Sequence, residues 1–339
     1  MIFNYINMAN YKKYTVIGGS GFVGTNLCKK FDKNGIAFEI IDIKESKQFP
    51  EKTKIVDIRD YLSLYESISG DLVINLAAVH RDDISNKDEY YSTNVDGAQN
   101  IVKVCEEKEI SKIIFTSSVA VYGFTTKSES ESGKTIPFNH YGKSKLMAEE
   151  IFVNWQKKLK EHSLIIIRPT VIFGEGNRGN VYNLFNQIYR KRFFMIGSGK
   201  NKKSMAYIEN VSSFIASCIS NKTNFGLYNY VDEPDINMNE LVLIARKVLF
   251  GKESIGLRLP YFLGILFGLF ADLISKIFSI NLSISSIRIK KFCKSTTFKS
   301  DDVYRLSFKP PYSLKDGIKR TLHSEFINPD PSREIFYTE

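Results

Sequence analysis

Tyr141 and Lys145 stand four residues apart in the run YGKSK. On a helix that spacing places both side chains on one face, one turn apart. An ammonium beside a phenol favours the phenolate, and a phenolate near neutral pH can take the proton of an alcohol. Ser118, in TSSVAVYG, adds a hydroxyl able to hydrogen-bond the same alcohol oxygen and guide its proton. The three types together suit oxidation of a carbinol, with the proton leaving to oxygen and the hydride to a separate acceptor. Each is ordinary alone: Tyr and Lys are common on helix surfaces, and a Ser after a strand often caps a turn.

The acceptor is signalled earlier in the chain. Gly18, Gly21 and Gly24, enclosing Phe22 and Val23, form GxxGxxG between an apolar run and a helical pattern. The first glycine permits a tight turn, the second lets backbone approach a pyrophosphate, and the third lets helix and strand pack closely. A diphosphate then sits on a helix N-terminus, where open N–H groups and the dipole favour anions. Asp42 follows about 20 residues on, where a carboxylate accepts the ribose hydroxyls and disfavours a 2′-phosphate, so NAD is expected over NADP. Lys44 argues the other way, since a cation tolerates that phosphate.

These residues need a frame, and the patterning supplies one. Apolar runs at 14–19, 36–42, 53–56, 72–78, 112–117 and 163–168 alternate with helical patterns at 22–34, 92–108 and 142–160. Such alternation predicts βαβ units: an α/β fold with a doubly wound parallel (Rossmann) sheet. Ser118 then falls at the C-terminal end of a strand, where such sheets bind ligands. After Arg168 the pattern changes, with a Gly- and Asn-rich loop at 174–180 and a helix over 181–191. We expect a dinucleotide-binding domain over 12–170, with a strand at 226–231 rejoining its sheet, and an interleaved substrate lobe over 171–339. The chain's 339 residues, 43% of them apolar, suffice for both.

Composition narrows the chemistry. Four cysteines lie far apart with no CxxC, and four histidines form no HExxH, so neither a metal site nor a disulfide framework is expected. A formal charge of +10 attracts polyanions or anionic surfaces, but no nucleic-acid motif accompanies it. Residues 1–13 carry no leader-like apolar run, and Met1 or Met8 could be the start.

GGSGFVG, NLAA (75–78), Asn94 in TNVDGAQN, SSVAVYG and YGKSK, in that order, resemble the extended short-chain dehydrogenase/reductases, nearest to their sugar-nucleotide epimerases and dehydratases. The resemblance implies Ser118, Tyr141 and Lys145 as the catalytic triad. It implies cofactor contacts at Asp57, Ile58, Leu76, Ala77, Ala78, Asn94 and Thr170, beside the glycine turn and Asp42. Longer runs, AAVHRDDIS (77–85), IIRPTVIFGEGNRGNVYNL (166–184), KSMAYIENV (203–211) and SSIRIKKFC (285–293) among them, are similar to the bacterial N-acetylglucosaminyl-diphospho-undecaprenol 4-epimerases of O-antigen synthesis. That likeness implies C4 epimerisation of GlcNAc and GalNAc on a polyprenyl diphosphate. Where UDP-galactose epimerases carry Arg-Tyr-Phe-Asn, this chain has Arg168-Pro169-Thr170-Val171, and Val171 cannot hold a phosphate. Lys203 replaces that family's pyrophosphate Arg and lacks its bidentate fork. Lys203, Lys202 and Arg178 become the candidate diphosphate ligands.

Residues 259–280 are unusually apolar. The uncharged run within them is shorter than the ~20 residues a spanning helix needs, which leaves a buried or dimer-contact helix, or an interfacial one. Arg258 before it and Arg288, Lys290, Lys291 and Lys294 after it suit acidic headgroups. The expectation is peripheral attachment to the cytoplasmic face of the inner membrane, and a homodimer. Three alternatives stay open on the residues themselves: a UDP-sugar 4-epimerase, an NADPH-dependent 4-keto-sugar reductase, and a catalytically silent binding protein.

Overall fold

The computed structural model describes residues 13–81, 84–124, 128–278 and 285–338. The start at Met1 or Met8, two acids of the AAVHRDDIS run and the end of the apolar segment lie outside these. The first half runs β1 (Tyr14–Ile17), α1 (Phe22–Lys33), β2 (Phe38–Asp42), β3 (Thr53–Ile55), α2 (Tyr61–Ser67) and β4 (Leu72–Asn75). It continues through α3 (Asp88–Tyr91), α4 (Gly97–Glu107), β5 (Lys112–Thr116), α5 (His140–Lys158) and β6 (Ser163–Pro169). The second half holds β7 (Val171–Phe173), α6 (Asn180–Tyr189), β8 (Met195–Ile196), β9 (Lys202–Lys203), β10 (Met205–Tyr207), α7 (Ile208–Ile219) and β11 (Phe225–Tyr230). After these come β12 (Ile236–Asn237), α8 (Met238–Phe250), β13 (Arg258–Leu259), α9 (Tyr261–Phe278), α10 (Ser286–Cys293), α11 (Asp301–Arg305) and α12 (Leu314–Leu322).

Seven strands form one sheet in the order β11-β6-β5-β4-β1-β2-β3, and every pair in it is parallel. This is the doubly wound sheet the alternation predicts. Both faces are covered, so its inner strands read as unbroken apolar runs rather than alternating ones. Val16, Ile40, Ile74, Ile114 and Ile165 point into one core with α1 and α7. Ile17, Ile41, Val73, Ile113 and Ile166 point into the other with α4 and α5. A third core gathers around Phe185, Tyr207, Leu241 and Ile318, with Phe22 of α1.

The winding reverses between β1 and β4, since β2 and β3 lie to one side and β4 to the other. Ligands of open α/β sheets bind at such a switch point, beyond the strands' carboxyl ends. Among the boundaries that differ from the sequence reading, two bear on the site. The helix expected over 92–108 is broken by a π turn at Ser92–Asp96, an irregularity frequent at functional sites. The α5 helix starts at His140, because the Asn139 side chain caps the N–H of Gly142 at 2.9 Å, satisfying one of the orphan donors there.

Helix α9 overturns the buried reading of the apolar segment. Its only buried residues are Gly264 and Gly268, one turn apart on one side. Phe262, Leu266, Phe267, Phe270, Ile277 and Phe278 are each about 60% exposed.

Candidate active site

The glycine turn closes on the switch point by close approach. Gly18 has φ +77°, and a Cβ there would fall 2.6 Å from the N of Ala77. A Cβ on Gly24 would fall 2.4 Å from the carbonyl of Gly18. Both glycines are thus required by backbone packing between β1, α1 and the loop after β4. A Cβ on Gly21, by contrast, would meet one atom at 3.3 Å, so this glycine faces open space at the mouth of the turn. Gly21 is also the N-cap of α1, with no side-chain cap and no acid in the first turn. An uncapped helix N-terminus beside a glycine cradle suits a diphosphate. Asp42 accepts from the N–H of Ser20 at 3.0 Å and of Lys44 at 3.2 Å, which fixes its carboxylate beside the turn. Burial pushes its pKa up despite those bonds.

From this turn a chain of contacts leads to the triad. Asn94, in the π turn, accepts from the N–H of Val79 at 2.9 Å and donates to its carbonyl at 3.0 Å. Its amide also donates to Ser144 Oγ at 2.9 Å. Asn94 therefore pins the 76–79 loop to α5, and its amide is occupied by protein. Ser118 caps the short 3-10 turn Val119–Tyr122, its Oγ accepting from the N–H of Ala120 at 3.1 Å; its own hydrogen can still be donated outward. A Cβ on Gly142 would fall 2.5 Å from the carbonyl of Ala120, so the first turn of α5, with Tyr141, lies directly against the turn that Ser118 begins.

Lys145 is 2% exposed. Its Nζ stands 4.5 Å from the centre of the Phe115 ring and forms no ion pair with a described residue. A buried ammonium without an acid is costly, and the usual outcome is a depressed pKa. Burial pushes Lys145 down to about 7, against a smaller upward pull from Glu149. Glu149, one turn further on, is spent on Arg168, with Oε1 to Nε at 2.9 Å and Oε2 to Nη2 at 2.5 Å. Arg168 Nη1 donates to Tyr122 at 2.8 Å, and Tyr122 donates to Asn229 at 2.8 Å. This buried network ties α5, β6 and the turn that Ser118 begins together, and the sequence reading missed it. The available signal was a lone arginine ending the apolar run of β6, which demands a buried acid.

The depressed Lys145 gives a signed prediction for the protein free of cofactor. Its pKa is about 7 folded against an ordinary 10.5, so the unfolded chain holds more protons between those values. Stability should therefore rise with pH across that window. Denaturant titrations from pH 7 to 10 should show this rise, and Lys145→Met should flatten it.

Other candidates fare differently. The hydroxyls of Thr170 and Ser117, 6% and 3% exposed, have no partner among the described residues. They lie just past the ends of the adjacent strands β6 and β5, where a polar ring could satisfy them. Asp57 forms an ion pair with Arg59 at 2.5 Å, and the Arg59 hydrogen bond holds its pKa down. Ile58 is buried beneath Gly97. Two proposed diphosphate ligands are engaged elsewhere. Arg178 pairs with Glu325 at 2.7 Å and stacks on Tyr182 at 4.0 Å. Lys203 donates to the carbonyls of Lys291 and Lys294 at 3.0 and 2.6 Å, capping the end of α10, and burial lowers its pKa to about 8. Lys202 is exposed on β9. Among the described residues, no group of three or more His, Cys, Asp and Glu could hold a metal.

The C-terminal segment reaches the start of α1, beside the glycine turn. Arg178 N–H donates to the Phe336 carbonyl at 2.8 Å and Phe336 N–H to that of Gly176 at 2.9 Å. The Phe336 ring lies 5.6 Å from Phe22, the first residue of α1.

Residues 14–229 match the model of the NAD dependent epimerase/dehydratase family. The chain is 46% identical, over 96% of its length and 98% of the relative's, to the N-acetyl-alpha-D-glucosaminyl-diphospho-ditrans,octacis-undecaprenol 4-epimerase of Escherichia coli O157:H7. It is 24% identical to the UDP-glucose 4-epimerase of Vibrio cholerae over 91% and 94% of the two chains. Among solved structures, the UDP-Glc/GlcNAc 4-epimerase of Campylobacter jejuni superposes with a TM-score of 0.72 at 17% identity, over 94% of this chain and 100% of that one. The UDP-glucuronic acid 4-epimerase of Bacillus cereus in complex with NAD superposes at 0.70 with 20% identity, over 91% and 97%. At such identities the structures establish a shared fold.

Proposed function

The chain belongs to the NAD dependent epimerase/dehydratase family, and from that membership we propose that it interconverts GlcNAc and GalNAc on undecaprenyl diphosphate for surface-polysaccharide (O-antigen) synthesis. The observation that carries this reading is 46% identity to the lipid-linked epimerase across nearly both whole chains, substrate lobe included.

The residues divide the work as follows. Tyr141, held as phenolate by Lys145, takes the proton of the C4 hydroxyl while Ser118 hydrogen-bonds that oxygen. NAD, when bound, would supply a reversible hydride acceptor, so there is no net oxidation. The 4-keto sugar turns about its diphosphate link, and Tyr141 gives its proton back to the C4 oxygen. Gly18, Gly21, Gly24 and the N-terminus of α1 would hold the dinucleotide diphosphate, and Asp42 its ribose. The turning sugar needs a pocket that grips the diphosphate and leaves the ring loose.

Attachment to the cytoplasmic face of the membrane belongs to the same proposal. The 18 residues of α9 have a mean hydropathy of 1.7, and only two of them, Gly264 and Gly268, are buried. Its glycines seat one side on Ile196 and Ser286, so lipid cannot surround the helix. That favours lying in the interface over crossing. The protein should float with acidic vesicles, and Phe267→Glu with Phe270→Glu should release it. We include a homodimer in this reading; a monomer by sedimentation would remove it.

The test of substrate is direct. GlcNAc and GalNAc are offered on undecaprenyl diphosphate and on UDP in parallel. Turnover on the lipid carrier is expected; turnover of the UDP sugars alone would make the protein a UDP-sugar epimerase. Steady NADPH consumption with a 4-keto sugar would make it a reductase.

A further inference from the structure

Arg178 and Lys203 are engaged elsewhere, but the end of α10 brings two further cations, Lys291 and Lys294, up to the loops that flank Ser118 and Tyr141. Phe124 follows the Val119–Tyr122 turn by two residues and Phe138 lies three residues before Tyr141. Their loops touch, since a Cβ on Gly123 would overlap the Ile136 carbonyl at 1.9 Å. The two rings stack at 4.1 Å and 22° while remaining 62% and 47% exposed. Lys294 Nζ lies 5.2 Å from the Phe124 ring, and Lys291 Nζ 6.0 Å from that of Phe138. Neither ammonium forms a hydrogen bond or ion pair with a described residue, and both are exposed.

The same helix leads to the apolar surface. Gly268 of α9 packs on Ser286 and Ile289 of α10, and Asp272 accepts from the N–H of Ser286 at 3.2 Å. A cleft of about 600 Å³ between the two helices is lined by Ile196, Tyr261, Lys290, Cys293 and Lys294 among others. The turn that Ser118 begins, the stacked rings, the lysines and the apolar helix thus adjoin one another over the surface.

The geometry points to a polyprenyl-diphosphate site: Lys291 and Lys294 hold the diphosphate, and the Phe124–Phe138 pair and α9 carry the first isoprene units. Charge and apolar surface lie side by side here, as they do where a sugar diphosphate joins its lipid. Lysines bind phosphate as point charges without a bidentate fork, which suits a link about which the sugar must turn. This inference rests on the lipid-linked reading above and assigns the residues that would enforce it.

The experiment uses the holoenzyme and GlcNAc diphosphate on a shortened polyprenyl chain, in neutral detergent and in acidic vesicles. If the wild type turns over in neither, the lipid-linked reading fails, and this site with it. Given wild-type turnover, Lys291→Gln with Lys294→Gln should raise KM in neutral detergent about tenfold or more, the effect of losing one or two charge-assisted bonds. It should leave kcat within about twofold. Phe124→Ala with Phe138→Ala should raise KM more for the polyprenyl substrate than for the same sugar diphosphate on a short alkyl chain. Unchanged KM in detergent would overturn the site. A loss confined to acidic vesicles would also overturn it, assigning the lysines to lipid headgroups instead.

Discussion

Tyr141→Phe is expected to lower the rate of C4 interconversion by about 10²–10⁴-fold, the usual contribution of a positioned acid–base group. The substitution removes one oxygen and keeps the ring, so helix and fold should survive. In its first turn α5 is fixed by the Asn139 cap and by the contact of Gly142 with Ala120, neither of which needs the hydroxyl. The loss should therefore appear in kcat with little change in substrate KM, and bound NAD and thermal midpoint should stay near wild type. Following both sugars by NMR, with NAD content measured on the same sample, checks this. Near-normal turnover with NAD bound would show that another group moves the proton.

The second large effect lies in the network behind the site. Glu149→Ala should destabilise the fold by about 3–5 kcal/mol, because it leaves the Arg168 guanidinium buried without its anion. Arg168 and Glu149 side chains are 6% and 5% exposed, so water cannot take the carboxylate's place without reopening the core. Replacing both residues with Met should recover much of the loss, since apolar groups of similar volume need no partner. Tyr122 would then keep its bond to Asn229, and the turn that Ser118 begins would keep one anchor. Denaturant midpoints of the two single variants and the double variant give the coupling. A single variant costing less than about 1 kcal/mol would show the pair to be solvated.

The candidate site was partly legible because its signals are local. The glycine turn and YxxxK report through spacings that backbone geometry fixes within one turn of chain. Asp42 follows from the length of one βα unit. The surroundings of the candidate diphosphate ligands were not legible in this way. Lys203 and Arg178 looked like available cations, yet one caps a helix end and the other pairs with Glu325. Whether a cation is available depends on carbonyls and acids that come from elsewhere in the chain, in Lys203's case about 90 positions away. Asn94 likewise shows its role as a brace between loop and helix only once residues 79 and 144 surround it.

What the sequence determined by itself was the parallel α/β sheet, the dinucleotide turn and the hydroxyl chemistry. Strand runs, glycine spacing and the Tyr–Lys helical repeat all act over a few residues, where bond geometry leaves few choices. Tertiary structure alone decided that Lys145 is buried without an acid, that Glu149 answers to Arg168, and that α9 turns its aromatic residues outward. Burial and pairing are set by residues brought together from distant parts of the chain, and solvation energy, which shifts the pKa of Lys145 and would favour lipid on α9, has meaning only once those neighbours are in place.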